Sequence, residues 1–411
     1  MQKKMNVCIA SLFGMDRPSG STPPNRMGGC AASCGGIQSH CRWLMKYFEE
    51  QGVSCTHVSP YNCPKGLVYP VFAVRHVCKG YWKTASSIWF RHWHFYFLER
   101  ALEKAVARER FDIVNAQGPL SALAALRVRQ RCGAAYQVVL TVHMNWPSQA
   151  DEEAFAGTIA ANGRAYKKIK RLERMVFPLV DKIIFVSGYI QELCLREYPA
   201  LSRRCRTIIY NGTGGGQAGE NGRDKAQGRP VLINIGHLEK RKNQQFLFGV
   251  VKYLCGKGLD PVLYLVGEGR ARGTLAQSSV KEGIRDRVCF TGARQDTRRL
   301  LTQSHVYVHA ALAESCPYAI LEAFACAVPV VACSVGGVPE IVEHGVTGFL
   351  AGGHDVEEYA GYIERLLTDK DLYHAMRHRC REVFHERFTY QKMGQEYLRF
   401  YTEGLRLSDD E

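Results

Sequence analysis

The sequence predicts an α/β protein built of two doubly wound, Rossmann-like domains. Three observations predict it. Short runs rich in β-branched residues alternate with helical patterns through both halves, the mark of parallel sheets covered by helices. A Gly-rich stretch from Asn211 to Gly222 separates the halves and cannot pack a core. The 411 residues exceed one ordinary core and suit two domains.

The elements follow in order. The expected strands of the first half are Asn6–Leu12, Val53–Val58, Asp112–Ala116, Gln137–Val142 and Lys182–Val186. Helical spacing fits Ile37–Gln51, Pro119–Arg131, Gly163–Phe177 and Gly188–Glu197. In the second half the expected strands are Val231–Ile235, Val262–Val266, Arg287–Phe290, His305–Val308 and Val328–Ala332. Helices fit Asn243–Gly256, Arg294–Gln303 and Pro317–Ala325, and the tail from Asp355 is helical. The expected domains are 1–211, a linker at 212–228, 229–388, and a C-terminal helix at 389–411 that packs back on the first domain. Doubly wound sheets bind ligands at the carboxyl ends of their strands. The site is therefore expected in a cleft between the two domains.

Composition narrows the class. Hydrophobic residues make up 46% and charged residues 23%, as in a globular protein and unlike a disordered or collagenous chain. No apolar run approaches the roughly 18–20 residues that cross a bilayer. No secretory signal is expected, and the 16 scattered cysteines read as reduced thiols of a cytoplasmic chain. Residues 1–211 carry 29 basic and 14 acidic side chains; residues 212–411 carry 25 of each. The whole excess of +15 therefore lies in the first half. It implies an anionic partner there, or a merely solvated basic surface.

The strongest motif is Glu314-Ser-Cys-Pro-Tyr-Ala-Ile-Leu-Glu322. A strand leads into a loop holding Glu314, and a helix starts near Pro317. The N–H groups of Ser315, Cys316 and Tyr318, with Ala319 next in the helix, would form an anion site at its N-terminus. Two carboxylates beside such a site suit sugar hydroxyls, one on a ribose and one on a hexose. A capping glutamate plus a solvated one is the plainer reading.

This stretch resembles the Glu-x7-Glu motif of the family 4 retaining glycosyltransferases, which have the GT-B fold. The resemblance covers nearly the whole chain, in order. Gly35-Gly36-Ile37-Gln38 is similar to the family's N-terminal glycine loop, and Thr141-Val142-His143 to its Thr-x-His. Asn211-Gly212 is similar to its Asn-Gly, and Gly236-His237-Leu238-Glu239-Lys240-Arg241-Lys242 to its Gly-Arg-Leu-x3-Lys. Gly336–Ile341 and Gly345–Leu350 resemble the segments after the second glutamate.

The resemblance implies roles. Lys242 would place a point charge on the donor diphosphate. Where the family pairs it with Arg, this chain has His237. Either a protonated His237 takes the Arg role, or Lys242, Arg241 and the helix dipole carry the leaving-group charge. His143 would orient the donor sugar, Glu314 would contact that sugar, and Glu322 the nucleotide ribose. Gly35 and Gly36 would let the backbone approach a diphosphate or the acceptor. Asn211 and Arg294 would line the nucleotide pocket. A second departure is Ala327, where the family often has Gly.

The implied function is transfer of a hexose-type sugar, with retention, from a UDP- or GDP-sugar. The implied acceptor is a lipid-linked saccharide or glycan precursor. No metal or other cofactor is expected. Cys30, Cys34, His40 and Cys41 match no standard zinc spacing. Aromatics between Tyr81 and Leu98 lie among bases, as at a membrane interface or in a core helix. Arg164, Lys167, Lys168, Lys170, Arg171 and Arg174 form a basic helical stretch suited to an anionic membrane surface at the inner face. No nucleic-acid motif is present. A small soluble acceptor, a nucleotide-binding module without turnover, and a sugar-nucleotide epimerase are the alternatives. Base, sugar, acceptor and oligomeric state are not set by these motifs.

Overall fold

The structure, a computed structural model, describes residues 5–15, 35–78, 82–215 and 228–403. It divides into two compact units. The first takes most of its residues from 37–210 and adds the chain from Met393 onward; the second holds Asn211–Lys392.

In the first unit the order is β1 (Asn6–Ala10), α1 (Gly36–Glu50), β2 (Ser54–Val58), α2 (Lys65–Cys78), α3 (Lys83–Val106), β3 (Ile113–Ala116) and α4 (Pro119–Cys132). Then come β4 (Gln137–Val142), α5 (Gln149–Phe155), α6 (Arg164–Val176), β5 (Lys182–Phe185), α7 (Gly188–Glu197) and β6 (Cys205–Ile208). All six strands run parallel in the order β2-β1-β3-β4-β5-β6. The central strands are buried on both faces, which is why Val7–Ala10 and Val138–Leu140 read as continuous apolar runs.

The second unit repeats the plan with β7 (Val231–Ile235), α8 (Phe246–Gly256), β8 (Val262–Val266), α9 (Arg272–Lys281), β9 (Val288–Gly292), α10 (Thr297–Gln303) and β10 (Val306–His309). It continues through α11 (Tyr318–Ala325), β11 (Val330–Cys333), β12 (Gly348–Ala351), α12 (Val356–Thr368) and α13 (Lys370–Arg387). Its parallel sheet has the order β12-β11-β10-β7-β8-β9. Its core packs Phe248 and Leu254 of α8 and Tyr359 and Ile363 of α12 over Leu232, Leu265 and Val308 of the sheet. The last helix, α14 (Tyr390–Thr402), begins in the second unit; from Met393 it counts with the first and buries Tyr397 and Tyr401 there.

Several expectations need correction. Strands β6 and β12 and helices α2, α5 and α9 were not anticipated as elements, and α3 only as the core-helix alternative for Tyr81–Leu98. β6 is a half-exposed edge strand with no buried face, so its pattern does not alternate. β12 opens on a glycine. Helix α8 starts at Phe246 rather than Asn243, because Asn243 takes a left-handed φ of 50°. Pro317 caps α11 with extended backbone instead of opening it. Arg294 lies before α10, not in it. The linker expected at 212–228 falls largely outside the described residues, and Cys30 and Cys34 lie outside them.

Candidate active site

The second sheet changes direction between β7 and β10. They lie side by side, while the chain builds outward from them on opposite sides. Loops leaving neighbouring strands at such a point diverge and open a crevice at their carboxyl ends. Here the loop after β7 carries His237, Arg241 and Lys242, and the loop after β10 carries Glu314.

Lys242 closes a single 3-10 turn, Lys240–Lys242. Glu314 is 5% exposed, and its Oε1 receives both the Lys242 ammonium and Arg241 Nη1, the latter at 2.8 Å. Burial alone would raise the pKa of this carboxyl. Lys242 first, then Arg241 and His309, outweigh that and hold it at about 2. Burial pushes the Lys242 ammonium the other way, downward, against the pull of Glu314. Arg241 is fixed further by bonds to Ala313 O at 3.1 Å and Glu239 Oε1 at 2.9 Å.

Beneath this pair lies a residue that motif spacing does not reveal. His309 ends β10 at 1% exposure. Its Nδ1 meets the Tyr307 hydroxyl at 3.1 Å, and its Nε2 stands 3.7 Å from Glu314 Oε1 without a hydrogen bond. Burial, then Lys242, hold its pKa at about 3, so the ring is neutral near pH 7. A signal was present: Tyr307 and His309 alternate within an apolar strand.

The loops are locked backbone to backbone. Gly336 sits at φ 58°, and a Cβ there would lie 1.9 Å from Glu314 O. Gly337 N–H donates to the same carbonyl at 2.8 Å. A Cβ on Gly267, at φ 145°, would lie 2.0 Å from Gly236 O. Only glycine fits either position.

Ser315, Cys316, Pro317 and Tyr318 are buried around the start of α11, with Ala319 half-buried. Asn211 is drawn to the same place: its Nδ2 donates to Cys316 O at 2.8 Å. Glu322, one turn into the helix, is half-buried, and its carboxylate has no hydrogen bond or ion pair among the described residues. Burial lifts its pKa to about 7, with Arg298 pulling weakly downward. His237 is exposed, with Nδ1 3.4 Å from Glu268 O. Arg294 is exposed and closed on Asp296 through bonds of 2.8 and 2.7 Å. Neither joins the Lys242–Glu314 cluster in any described contact. A cavity of about 420 Å³ beside α9 opens near the amino ends of β8 and β9, away from all these groups.

In the first unit His143 follows β4 and heads a buried polar chain. Its Nε2 donates to Gln117 Oε1 at 2.8 Å. Gln117 donates to Asn115 Oδ1 at 3.1 Å, and Asn115 donates to the Tyr401 hydroxyl at 2.6 Å. Thr141 donates to Asn115 Oδ1 at 2.9 Å and meets the Tyr397 hydroxyl at 3.2 Å; that hydroxyl meets His40 Nε2 at 3.1 Å. Burial, then His40, hold the His143 pKa well below its ordinary value, so the ring is neutral. Of this chain only His143 carried an assigned role in the sequence; Gln117 and Asn115 were legible only as polar residues at the end of an apolar strand. Gly35 and Gly36 lie at the start of α1.

The arrangement supplies cations at the strand ends of the second unit, a helix start beside them and two carboxylates of unlike pKa. It can hold a polyanion and accept bonds from hydroxyls.

Comparison with known proteins follows the same lines. A family model described as Glycosyltransferase Family 4 matches residues 34–213, and one described as Glycosyl transferases group 1 matches residues 220–383. N-acetyl-alpha-D-glucosaminyl L-malate synthase of Bacillus anthracis is 33% identical over 181 residues, 44% of this chain and 47% of that relative. The match thus spans about half of that relative's length. UDP-Gal:alpha-D-GlcNAc-diphosphoundecaprenol alpha-1,3-galactosyltransferase of Escherichia coli is 24% identical over 293 residues, 68% of this chain and 72% of the relative. The solved structure of Anabaena Alr3699/HepE in complex with UDP has the same fold, with a TM-score of 0.68 at 17% identity over 97% of this chain and all of that one.

Proposed function

Because the chain belongs to the family 4 glycosyltransferases of the GT-B fold, we propose that it moves a hexose-type sugar, with retention, from a nucleoside-diphosphate sugar to a lipid-linked or glycan acceptor. The observation that carries this reading is the cluster of half-buried Lys242 and Arg241 on buried Glu314 at the carboxyl ends of β7 and β10. An ammonium and a guanidinium held beside a carboxylate can turn to a diphosphate without first being desolvated. Arg241 supports the second of the two alternatives for the leaving-group charge, because it sits in the cluster and His237 does not.

In this reading Lys242 and Arg241 take the diphosphate, and the N-terminus of α11 adds its dipole. Glu314 then accepts bonds from the donor sugar, and Glu322 from the ribose. The second unit serves the donor and the first the acceptor, with His143 orienting sugar hydroxyls as a neutral acceptor through Nδ1, since its Nε2 proton is held by Gln117. In the transfer the bond from the anomeric carbon to the diphosphate oxygen breaks, and a bond to the acceptor oxygen forms on the same face. The acceptor proton goes to the leaving diphosphate. The residues position the reactants and stabilise charge. The Escherichia coli and Anabaena names make uridine the first base to test, with guanosine second. The Bacillus anthracis name supports a small acid as the rival acceptor.

The test is incubation with UDP-glucose, UDP-galactose and UDP-N-acetylglucosamine plus lipid-linked or small acceptors, with NMR of the product's anomeric signal. Release of UDP together with an α-linked glycosylated acceptor is expected. A β-linked product overturns retention. Nucleotide binding without product from any donor turns the reading to a binding module.

A further inference from the structure

We propose that the exposed face of α2, with the start of α3, docks on an anionic lipid bilayer. The sequence pointed to the aromatics of Tyr81–Leu98 for such a role, but the structure uses most of them internally. Trp89 Nε1 donates to Val71 O at 3.0 Å, Phe72 stacks on His94 at 4.0 Å, and Phe72 and Phe97 lie 6.0 Å apart. These contacts seat one side of α2 against α3.

The other side of α2 is turned to solvent and is apolar. Gly66, Leu67, Tyr69, Pro70, Ala73 and Val74 are exposed, with Leu67 at 63%, Tyr69 at 55% and Val74 at 46%. At helical spacing they form one stripe with no charged residue in it. Trp82, at the N-cap of α3, is 67% exposed and adds an interfacial side chain. An apolar helix face of this extent is normally covered, and this one is not.

Charge selects the occupant. From Gln51 to Leu98 the chain holds five Lys or Arg and no Asp or Glu. Lys65 opens α2 and Lys83 opens α3, both exposed. Arg91 is paired with Glu153, which leaves four of the five bases outside that ion pair. An apolar stripe with Lys65 at its start and no acid in its own stretch of chain fits the boundary between acyl chains and anionic headgroups. A protein partner would need no such one-sided charge. At 14 residues α2 is about 21 Å long, so it lies on the surface and does not span it. The basic helix α6 is a weaker candidate. Its Lys170 is buried, bonded at 3.0 Å to Asp151 and paired at 3.0 Å with Glu197.

This inference deepens the lipid-linked acceptor reading without depending on turnover. The full chain is sedimented with vesicles of phosphatidylcholine alone, or of two parts phosphatidylcholine to one part phosphatidylglycerol. Binding to the mixed vesicles is expected, weakened by salt. The Leu67→Ser/Val74→Ser double variant should lose roughly tenfold or more of that partition. Both positions are exposed, so its melting temperature and UDP binding should match wild type, which separates failure of docking from failure of the donor reading. Three results overturn the proposal: no binding to either vesicle, equal binding by the double variant, or a lipid-free dimer that the double variant dissolves. The last would make the stripe a contact between copies of this chain.

Discussion

Glu314 holds its charge because two cations hold it, and the cations are kept ready by it. Lys242→Ala should therefore do two things. It removes the charge meant for the leaving diphosphate, and kcat/KM should fall by roughly 100-fold, about 2.7 kcal/mol. It also leaves Glu314 with Arg241 alone, so the melting temperature falls as well. Steady-state kinetics beside calorimetry check both. Lys242→Met, which keeps most of the packing but not the charge, should lose stability and rate as well. Glu322 behaves in the opposite sense. Its folded pKa of about 7 lies above the unfolded value of 4.5. Stability from its neutral form is fully present below the unfolded pKa and is lost as pH rises through the folded one. Glu322→Gln should thus be more stable than wild type at pH 8, by on the order of 1–3 kcal/mol, and no more stable at pH 4. Denaturant melts at the two pH values decide it; an equal gain at both would show that the carboxylate is not strained by burial.

At the scale of elements, the site depends on turns that only glycine can make. Gly336→Ala places a methyl against Glu314 O while φ is left-handed. It should cost roughly 2 kcal/mol or more, and it should slow turnover because the Glu314 loop must shift. Urea melts and kinetics together check this; a variant with wild-type rate would separate the loop from the site. Much of this was legible in the sequence. Strands β4, β7 and β8 and helix α7 match their expected bounds, because buried parallel strands and a serine-capped helix leave clear runs. The glutamate spacing and Lys242 pointed to one end of one sheet. What escaped had weak local signal. Edge strand β6 has no buried face, and α2 carries Pro70 inside a run of apolar residues from Leu67 to Val74, so no clear period shows. Asn243 broke a helix that its neighbours favoured. His309, Gln117 and Asn115 act through tertiary contacts that spacing does not encode.

At the scale of the molecule, the chain leaves the first unit at Tyr210 and returns to it at Met393. The returning helix supplies Tyr397 and Tyr401, whose hydroxyls end the polar chain from His143. Removing both hydroxyls (Tyr397→Phe with Tyr401→Phe) leaves Asn115 and His40 under-bonded in the interior. It should cost roughly 1–3 kcal/mol in the first unit only. Hydrogen exchange should quicken in β3 and β4 and stay unchanged in β7 and β10; equal quickening in both sheets would refute a local network.

The central claim is that the cluster at β7 and β10 receives a nucleoside diphosphate. Calorimetric titration of UDP, then GDP, into wild type, Lys242→Ala and Glu322→Ala tests it most directly. The account predicts binding of one base by wild type, weakened about tenfold or more in each variant. No binding of either base by wild type, or equal affinity in all three proteins, would contradict it.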